Sequence, residues 1–433
     1  MFIAKKQNKC HMQIGRPIGG PSVPGLTLDV PEAVKKDSPG HETGIEDFFL
    51  LIKNWIKDNQ CSKKEIQNGD IINLHRYFNE KIINTEKYVE LGRGNFGSVV
   101  IDNKQNDTVL KNILNEKEKK FLRSQKPGDI SQKDCLVLNE IKINIKTNKY
   151  SHFVRFLGWS YSREILNANR DYISHFQLRF NKCDGSLGSF LKENKSVDLK
   201  KRTVYSRIVT SQIPYITGDI TEALKILHDE LNIRHFDIKP DNVLFKDIVI
   251  GKRTKQWLLA DFGCSSINEP NCSTLMYQPT FLGGDSSVIP AKQYVVTDLY
   301  AFGLLLSNIV LPDKFGKIKE RSNKSEFVFN LEIKDEIGPI KNSTELKEFI
   351  YILLARNIND GGITITTYGK YIDNIILFFK EKNIEFSPTM SLTAMVHKYL
   401  HNYKYSDTFD IMSRLKKKLS SRTLKLLGKR GIE

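Results

Sequence analysis

Apolar positions along the chain repeat at two different periods, and the switch between them divides it. From Ile45 to Asp58, the residues Phe48, Phe49, Leu51, Ile52, Trp55 and Ile56 recur at helical spacing and predict an amphipathic helix. A second helix is predicted over roughly Lys64–Ile83. Strand-like segments follow: Tyr88-Val89-Glu90, Thr108–Lys111, Phe153–Gly158 and the alternating stretch Phe176–Phe180. Between Tyr215 and His228 the helical period returns at Ile220, Ala223, Leu224 and Leu227, and a short apolar strand, Val243-Leu244-Phe245, comes next. Thr297–Gly303 opens a helix with Leu304, Leu305, Leu306 and Ile309, apolar almost all round, which predicts burial. Helical patterns continue at Glu345–Ala355, Tyr371–Lys380 and Thr389–Tyr399.

The two ends lack such patterns. Residues 1–44 carry Gly15-Arg16-Pro17-Ile18-Gly19-Gly20-Pro21 and further prolines, which predicts a flexible arm. From Ile411 to Glu433 there are eight Lys or Arg against one acid, with Ile411, Leu415 and Leu419 on one face. That pattern suits an anionic membrane surface or a solvated last helix packed by its leucines.

A formal net charge of +16 suits acidic partners, though solvated lysine-rich faces are the simpler reading; no specific nucleic acid is expected. The six cysteines form no C-x-x-C pair, so free thiols in a reducing compartment are expected. No apolar run reaches 18 residues, and the first 20 lack a signal-peptide core. The expectation is an intracellular, cytoplasmic protein.

The richest chemistry lies between Asn232 and Phe262. Asp237 is followed by Lys239 and Asn242, and Asp261 sits on a tight Phe262-Gly263 turn. Phosphoryl transfer needs such a set: a base to orient a hydroxyl, a cation for the moving phosphate, and oxygen ligands for magnesium. The spacing D-x-K-x-x-N, then D-F-G, resembles the catalytic and metal-binding segments of the eukaryotic-type protein kinases. Upstream, Leu91-Gly92-Arg93-Gly94-Asn95-Phe96-Gly97-Ser98-Val99 lies between strand-like residues. That context favours a glycine hairpin over ATP phosphates rather than a dinucleotide fingerprint.

The resemblance implies an α+β, two-lobed fold, with a small antiparallel-sheet lobe and a mostly helical large lobe. It spans roughly residues 86–380, split into lobes 86–181 and 182–380, between a helical extension, 45–85, and a basic helical one, 381–433. It implies that Lys111, 14 residues after Gly97, bridges the α and β phosphates. The glutamate that holds this lysine would be Glu140, with an insertion around Asn115–Ser131; Glu116 and Glu118 are the competitors. Asn181-Lys182-Cys183 would form the adenine-contacting hinge, Phe180 the back of the pocket, and Val99, Val109 and Leu244 its apolar walls. Asp237 and Lys239 would be catalytic, Asn242 and Asp261 would hold magnesium, and Asp298 would brace the catalytic loop.

Two departures stand out. The arginine of H-R-D is Phe236, and the A-P-E element reads Gln278-Pro279-Thr280, with Asn359-Asp360-Gly361-Gly362 where its arginine partner would lie. Phenylalanine cannot anchor a phosphate on the segment carrying Ser265, Ser266, Ser273, Thr274 and Tyr277. The resemblance therefore implies an ATP- and magnesium-dependent serine/threonine protein kinase, independent of activation-loop phosphorylation. The alternative is a nucleotide-binding scaffold acting through its flanking helices. The arm, the tail and the divergent docking region also suit a pathogen effector in a host cytoplasm.

Overall fold

A computed structural model describes residues 48, 51–54, 68–79, 82–85, 88–94, 97–102, 107–116, 132–165, 172–197, 203–205, 207–250, 253–266, 294–310, 349–350, 352–354, 368–387 and 389–402. The arm, the insertion at 117–131, Asn95, Phe96, the A-P-E region and the basic tail lie outside them. So do Ser273, Thr274, Tyr277 and the Asn359–Gly362 stretch.

After the helix α1 (Asn68–Arg76), the strands β1 (Glu90–Gly94), β2 (Gly97–Ile101) and β3 (Thr108–Glu116) lead into α2 (Gln132–Thr147). Two long strands, β4 (Phe156–Ile165) and β5 (Tyr172–Asn181), complete an antiparallel sheet of order β1-β2-β3-β5-β4. Residues paired across antiparallel strands share a face, so the register puts Lys111 beside Leu178 and Val109 beside Phe180. α2 covers that face with Val137, Leu138 and Ile141, which share a core with Ile113, Phe156, Trp159, Phe176 and Leu178. The opposite face is tied to the chain before β1: Gln177 donates to Ile83 O and Asn112 Oδ1, both at 2.9 Å, and Asn112 donates to Thr85 Oγ1 at 3.0 Å.

The second lobe opens with β6 (Gly185–Ser186) and α3 (Leu187–Glu193). Ser186 and Ser189 cap this helix reciprocally, each hydroxyl accepting from the other's amide at 3.1 Å. A small ribbon, β7 (Lys195–Val197) with β8 (Thr203–Tyr205), precedes α4 (Arg207–Lys225). A wider turn follows at Ile226–Glu230, closed by Leu231 N donating to Ile226 O at 3.0 Å. A hairpin of β9 (Val243–Ile250) and β10 (Arg253–Leu259) then leads to α5 (Val295–Val310), α6 (Tyr368–Glu381) and α7 (Leu392–Asn402). α5 is buried along nearly its whole length, as its all-round apolar sequence requires. It shares one core with Ile220 and Leu224 of α4, Tyr371 and Ile375 of α6, and Val396 and Tyr399 of α7. The packing therefore crosses residue 380, where the sequence had suggested an extension. No helix among the described residues is long and apolar enough to cross a membrane.

Several expectations need correction. The helix predicted over Lys64–Ile83 is described only as Asn68–Arg76, because Tyr77–Asn79 leave it to pair with β4: Phe78 forms a parallel bridge with Trp159. The strand read at Phe153–Gly158 starts at Phe156 and runs on to Ile165. Free cysteines were expected throughout; Cys183 is a free thiol, whereas Cys135 and Cys264 are disulfide-bonded. From the first predicted helix, Phe48 and residues 51–54 are helical, and Phe48, Leu51 and Ile52 are buried in the small-lobe core.

Candidate active site

The turn carrying Asp237 adopts a conformation that its own residues disfavour. Asn232 and Phe236 have φ of 54° and 62°, in the left-handed region where a side chain costs energy. The opposing force comes from Asp298 in the first turn of α5, which is fully buried. Its Oδ2 accepts from His235 N at 2.7 Å and its Oδ1 from Phe236 N at 2.8 Å. Burial pushes the Asp298 carboxyl up, but hydrogen bonds and charge from His228, together with the His235 amide, hold it below the usual range. His228, in the middle of the wide turn, bonds Asp298 Oδ2 at 2.8 Å through Nε2 and Thr393 of α7 at 2.7 Å through Nδ1.

That brace fixes Asp237, whose side chain is almost wholly buried. Lys239 Nζ donates to Asp237 Oδ2 at 2.6 Å. Asn242, ending a short turn that begins at Pro240, donates both to Asp237 O at 2.8 Å and to Asp237 Oδ2 at 2.9 Å. With its amide nitrogen committed there, the oxygen end of Asn242 faces the other way. The loop is stitched to the next segment by Ala260 N donating to Asn242 O and by His235 Nε2 meeting Ala260 O, both at 3.0 Å.

Asp261 is again left-handed, with φ of 65°, and this aims its carboxylate at the small lobe. Lys111 Nζ lies 2.8 Å from Asp261 Oδ1 and 2.7 Å from Glu140 Oε1. The glutamate that Lys111 reaches is thus the one on α2. Burial favours the neutral amine at Lys111, but the Asp261 and Glu140 carboxylates outweigh it and hold the ammonium above its ordinary value. Burial also opposes ionisation of Asp261; the charge and hydrogen bond of Lys111 overcome it, with help from His235 and the Gly263 amide, and bring the carboxyl down to about 2. Glu140 is raised by burial and by Asp261, against the pull of Lys111.

Above this triad stands the glycine hairpin, with Gly94 facing Gly97 across the turn. Arg93 is tied to Glu90 of its own strand at 2.9 Å, and Leu91 is exposed. Gly97 has φ of 142°, and a Cβ there would lie 1.8 Å from Asn112 O, so its glycine is required by the approach of β3. At Gly92 a Cβ would meet nothing within 4 Å. The space beside Gly92 is open, while the glycine at 97 answers to the sheet.

Val99, Val109, Phe180 and Leu244 are all only partly buried, unlike the core residues beside them. In the segment linking the lobes, the Asn181 amide donates to Arg155 O at 3.0 Å, that of Lys182 to Asp107 O at 2.7 Å, and that of Asp184 to Phe245 O at 2.9 Å. The Cys183 amide has no partner among the described residues. Burial pushes the Cys183 thiol up to about 11.

Phe236, the residue that breaks the H-R-D pattern, packs with Cys264 and Tyr294, its ring edge-on to Tyr294 with centroids 5.9 Å apart. Arg234, whose direction the sequence left open, turns inward and donates to Asn232 O at 2.8 Å and Asn232 Oδ1 at 3.0 Å. Its backbone exchanges two hydrogen bonds with Ser266, at 2.9 and 3.0 Å, and Ser265 Oγ donates to His235 O at 3.1 Å. Sequence reasoning missed Tyr294, His228 and Thr393. His228 carried the only local signal, a histidine closing an apolar helical face just before the catalytic stretch.

A family model for the protein kinase domain matches residues 85–361. A probable receptor-like protein kinase of Arabidopsis thaliana is 27% identical over 229 residues, covering 51% of this chain and 24% of the relative. A probable dual specificity protein kinase of Caenorhabditis elegans is 28% identical over 166 residues, covering 37% and 15%. A dual specificity tyrosine-phosphorylation-regulated kinase of Drosophila melanogaster is 23% identical over 221 residues, covering 51% and 26%. The matches thus span about a quarter or less of the length of each of these relatives.

Proposed function

The chain belongs to the protein kinase family, and on that premise we propose that it transfers phosphate from ATP, with magnesium, to serine or threonine hydroxyls of protein substrates. The observation that carries the reading is the Lys111–Glu140–Asp261 triad placed across from Asp237, Lys239 and Asn242.

The residues fit both the nucleotide and the metal. Partly buried Val99, Val109 and Leu244 offer apolar surface to a planar base, and the Cys183 amide is a donor left for its edge. Asp261, anionic down to about pH 2, and the oxygen end of Asn242 are the hard oxygen ligands that magnesium takes. Magnesium, when bound, offsets the charge on phosphate oxygens. Asp237 would orient the substrate hydroxyl and accept its proton. Lys239, now paired with Asp237, would turn its ammonium to the transferring phosphate. Lys111, fixed by Glu140, would hold the nucleotide in line. Lysine at 239 supports serine/threonine preference, on the family resemblance.

Independence from activation-loop phosphorylation belongs to the same reading. Phe236 offers no donor to a phosphate and is seated in apolar contacts. Ser265 is buried with its hydroxyl on His235 O, so alanine there would remove a structural contact rather than a modification site; Ser266 is buried too, bonded to Arg234 through its backbone.

The test is to incubate the full chain with labelled ATP, magnesium and a mixed protein extract, then analyse the labelled amino acids. Label on serine and threonine is expected, before and after phosphatase treatment of the enzyme, and should disappear in Asp261→Ala and Lys111→Ala with circular dichroism unchanged. Label on tyrosine as well would replace the serine/threonine reading with dual specificity. Nucleotide binding without any transfer would overturn the enzyme in favour of a scaffold.

A further inference from the structure

We propose that residues 48, 51–54 and 68–79, which precede the matched domain, are a built-in positioning element for Glu140, holding α2 where its glutamate meets Lys111. The inference rests on the proposed function only for the catalytic use of that ion pair; the clamp itself is a matter of packing.

α2 is fastened at both ends. At its start, Asp134 Oδ2 accepts from Ser174 Oγ of β5 at 2.9 Å. Around its end the fastenings come from the preceding segment: Asp70 of α1 pairs with Lys146 at 3.5 Å, and the Tyr77 hydroxyl accepts from Asn148 at 3.1 Å. Between them, Phe48, Leu51, Ile52 and Leu74 lie in the same core as Val137, Leu138 and Ile141, the residues on either side of Glu140. Phe48 stands 4.8 Å from the Phe78 ring and 5.8 Å from that of Trp159. Trp159 is bolted down in turn: Nε1 donates to Leu74 O at 3.0 Å, its amide to Tyr77 O at 2.9 Å, and its carbonyl accepts from Asn79 N at 2.7 Å.

These contacts matter for chemistry because the Lys111–Glu140 pair spans two elements, a strand and a helix, and its members lie 29 residues apart along the chain. A helix lying on a sheet by one apolar face can slide or roll, and a displacement of about 1 Å at a catalytic group can reduce rate by about a hundredfold. The preceding segment adds Phe48, Leu51, Ile52 and Leu74 to the core that α2 shares with the sheet. Asn139, beside Glu140, also donates to Ser265 O at 3.1 Å, so a shift of α2 would reach the segment after Asp261.

The test uses the full chain and two substitutions, Leu74→Val as a mild change and Phe48→Ala as a severe one. Amide hydrogen exchange is followed in α2, α4 and α5. Exchange in α2 is expected to rise about fivefold in Leu74→Val while α4 and α5 stay as in the wild type. kcat should fall in the same variant, and that loss should vanish when it is combined with Glu140→Gln, since a group acting through Glu140 cannot matter once the pair is broken. Unchanged α2 exchange in both variants would overturn the proposal. So would a rise of equal size in α2, α4 and α5 of Leu74→Val, or a loss of kcat that adds to that of Glu140→Gln. A wild-type chain with no transfer activity would sink the proposed function alone, because the exchange result does not depend on it.

Discussion

The two carboxylate oxygens of Asp298 each hold one amide of the turn that carries Asp237, that of His235 at 2.7 Å and that of Phe236 at 2.8 Å. Asp298→Asn keeps the shape but turns one acceptor into a donor facing an N–H. The left-handed Phe236 then loses its restraint. The expected loss is about 1.5–3 kcal/mol, the range for a hydrogen bond to a charged group, together with at least a tenfold drop in kcat. Urea unfolding at constant slope measures the first; a wild-type midpoint would show that something else holds the turn.

Restoring the family's arginine should harm this chain. Phe236→Arg would place a cation among Cys264 and Tyr294, and an uncompensated buried charge costs roughly 3–5 kcal/mol. Phe236→Leu keeps the seat apolar and should cost about 1–2 kcal/mol. Thermal unfolding of the pair decides it: equal stability would mean that the apolar seat contributes nothing.

The glycine hairpin offers a contrast between two neighbours. Gly97→Ala brings a Cβ to 1.8 Å from Asn112 O at φ of 142°, and it should destabilise by about 2–3 kcal/mol as β2 parts from β3. Gly92→Ala meets open space and should change stability by less than about 0.5 kcal/mol. If Gly92 faces bound phosphates, KM for ATP rises in that variant with the melting temperature unmoved. An unchanged KM would place the nucleotide elsewhere.

The triad predicts a pH dependence of stability. The folded Asp261 carboxyl, at about 2, lies below its unfolded value of about 3.9, so its contribution is complete above that value and is lost as pH falls through about 2. Lys111 is raised, so its contribution is complete below about 10.4 and is lost only as pH rises past the folded value. Lys111→Met removes the cation and leaves burial to push Asp261 up. Protonating a raised carboxyl favours the folded state, so the variant's stability, lower than the wild type's at neutral pH, should fall less on acidification. An equal fall in the two proteins between pH 6 and 2 would contradict the assignment.

What the sequence revealed tracks how far apart the cooperating residues lie. Asp237, Lys239 and Asn242 are five residues apart at most, and one hairpin separates them from Asp261, so their spacing is a direct image of the site. Lys111 and Glu140 required an inferred insertion between them. The links His228–Asp298 and His228–Thr393, 70 and 165 residues apart, leave no trace in local periodicity. Tyr77 and Phe78 misled for a physical reason: their apolar side chains extend the helical pattern of α1, yet they serve as partners for β4. The missing arginine at Phe236 was plain, but what takes its place needed Tyr294 in space.

β4 is the last strand of its sheet, and the chain at Tyr77–Asn79 lies along it, with Gly158 free of a side chain that would meet Asn79 Nδ2 at 2.4 Å. An edge strand without such cover is a template for strands of other molecules. The protein kinase match begins at residue 85, so a cut there would bare this edge together with the apolar Trp159 and Phe176 beneath it. The boundary of the family match is not the boundary of the folded unit: residues 77–79, ahead of it, cover the edge that such a cut would expose.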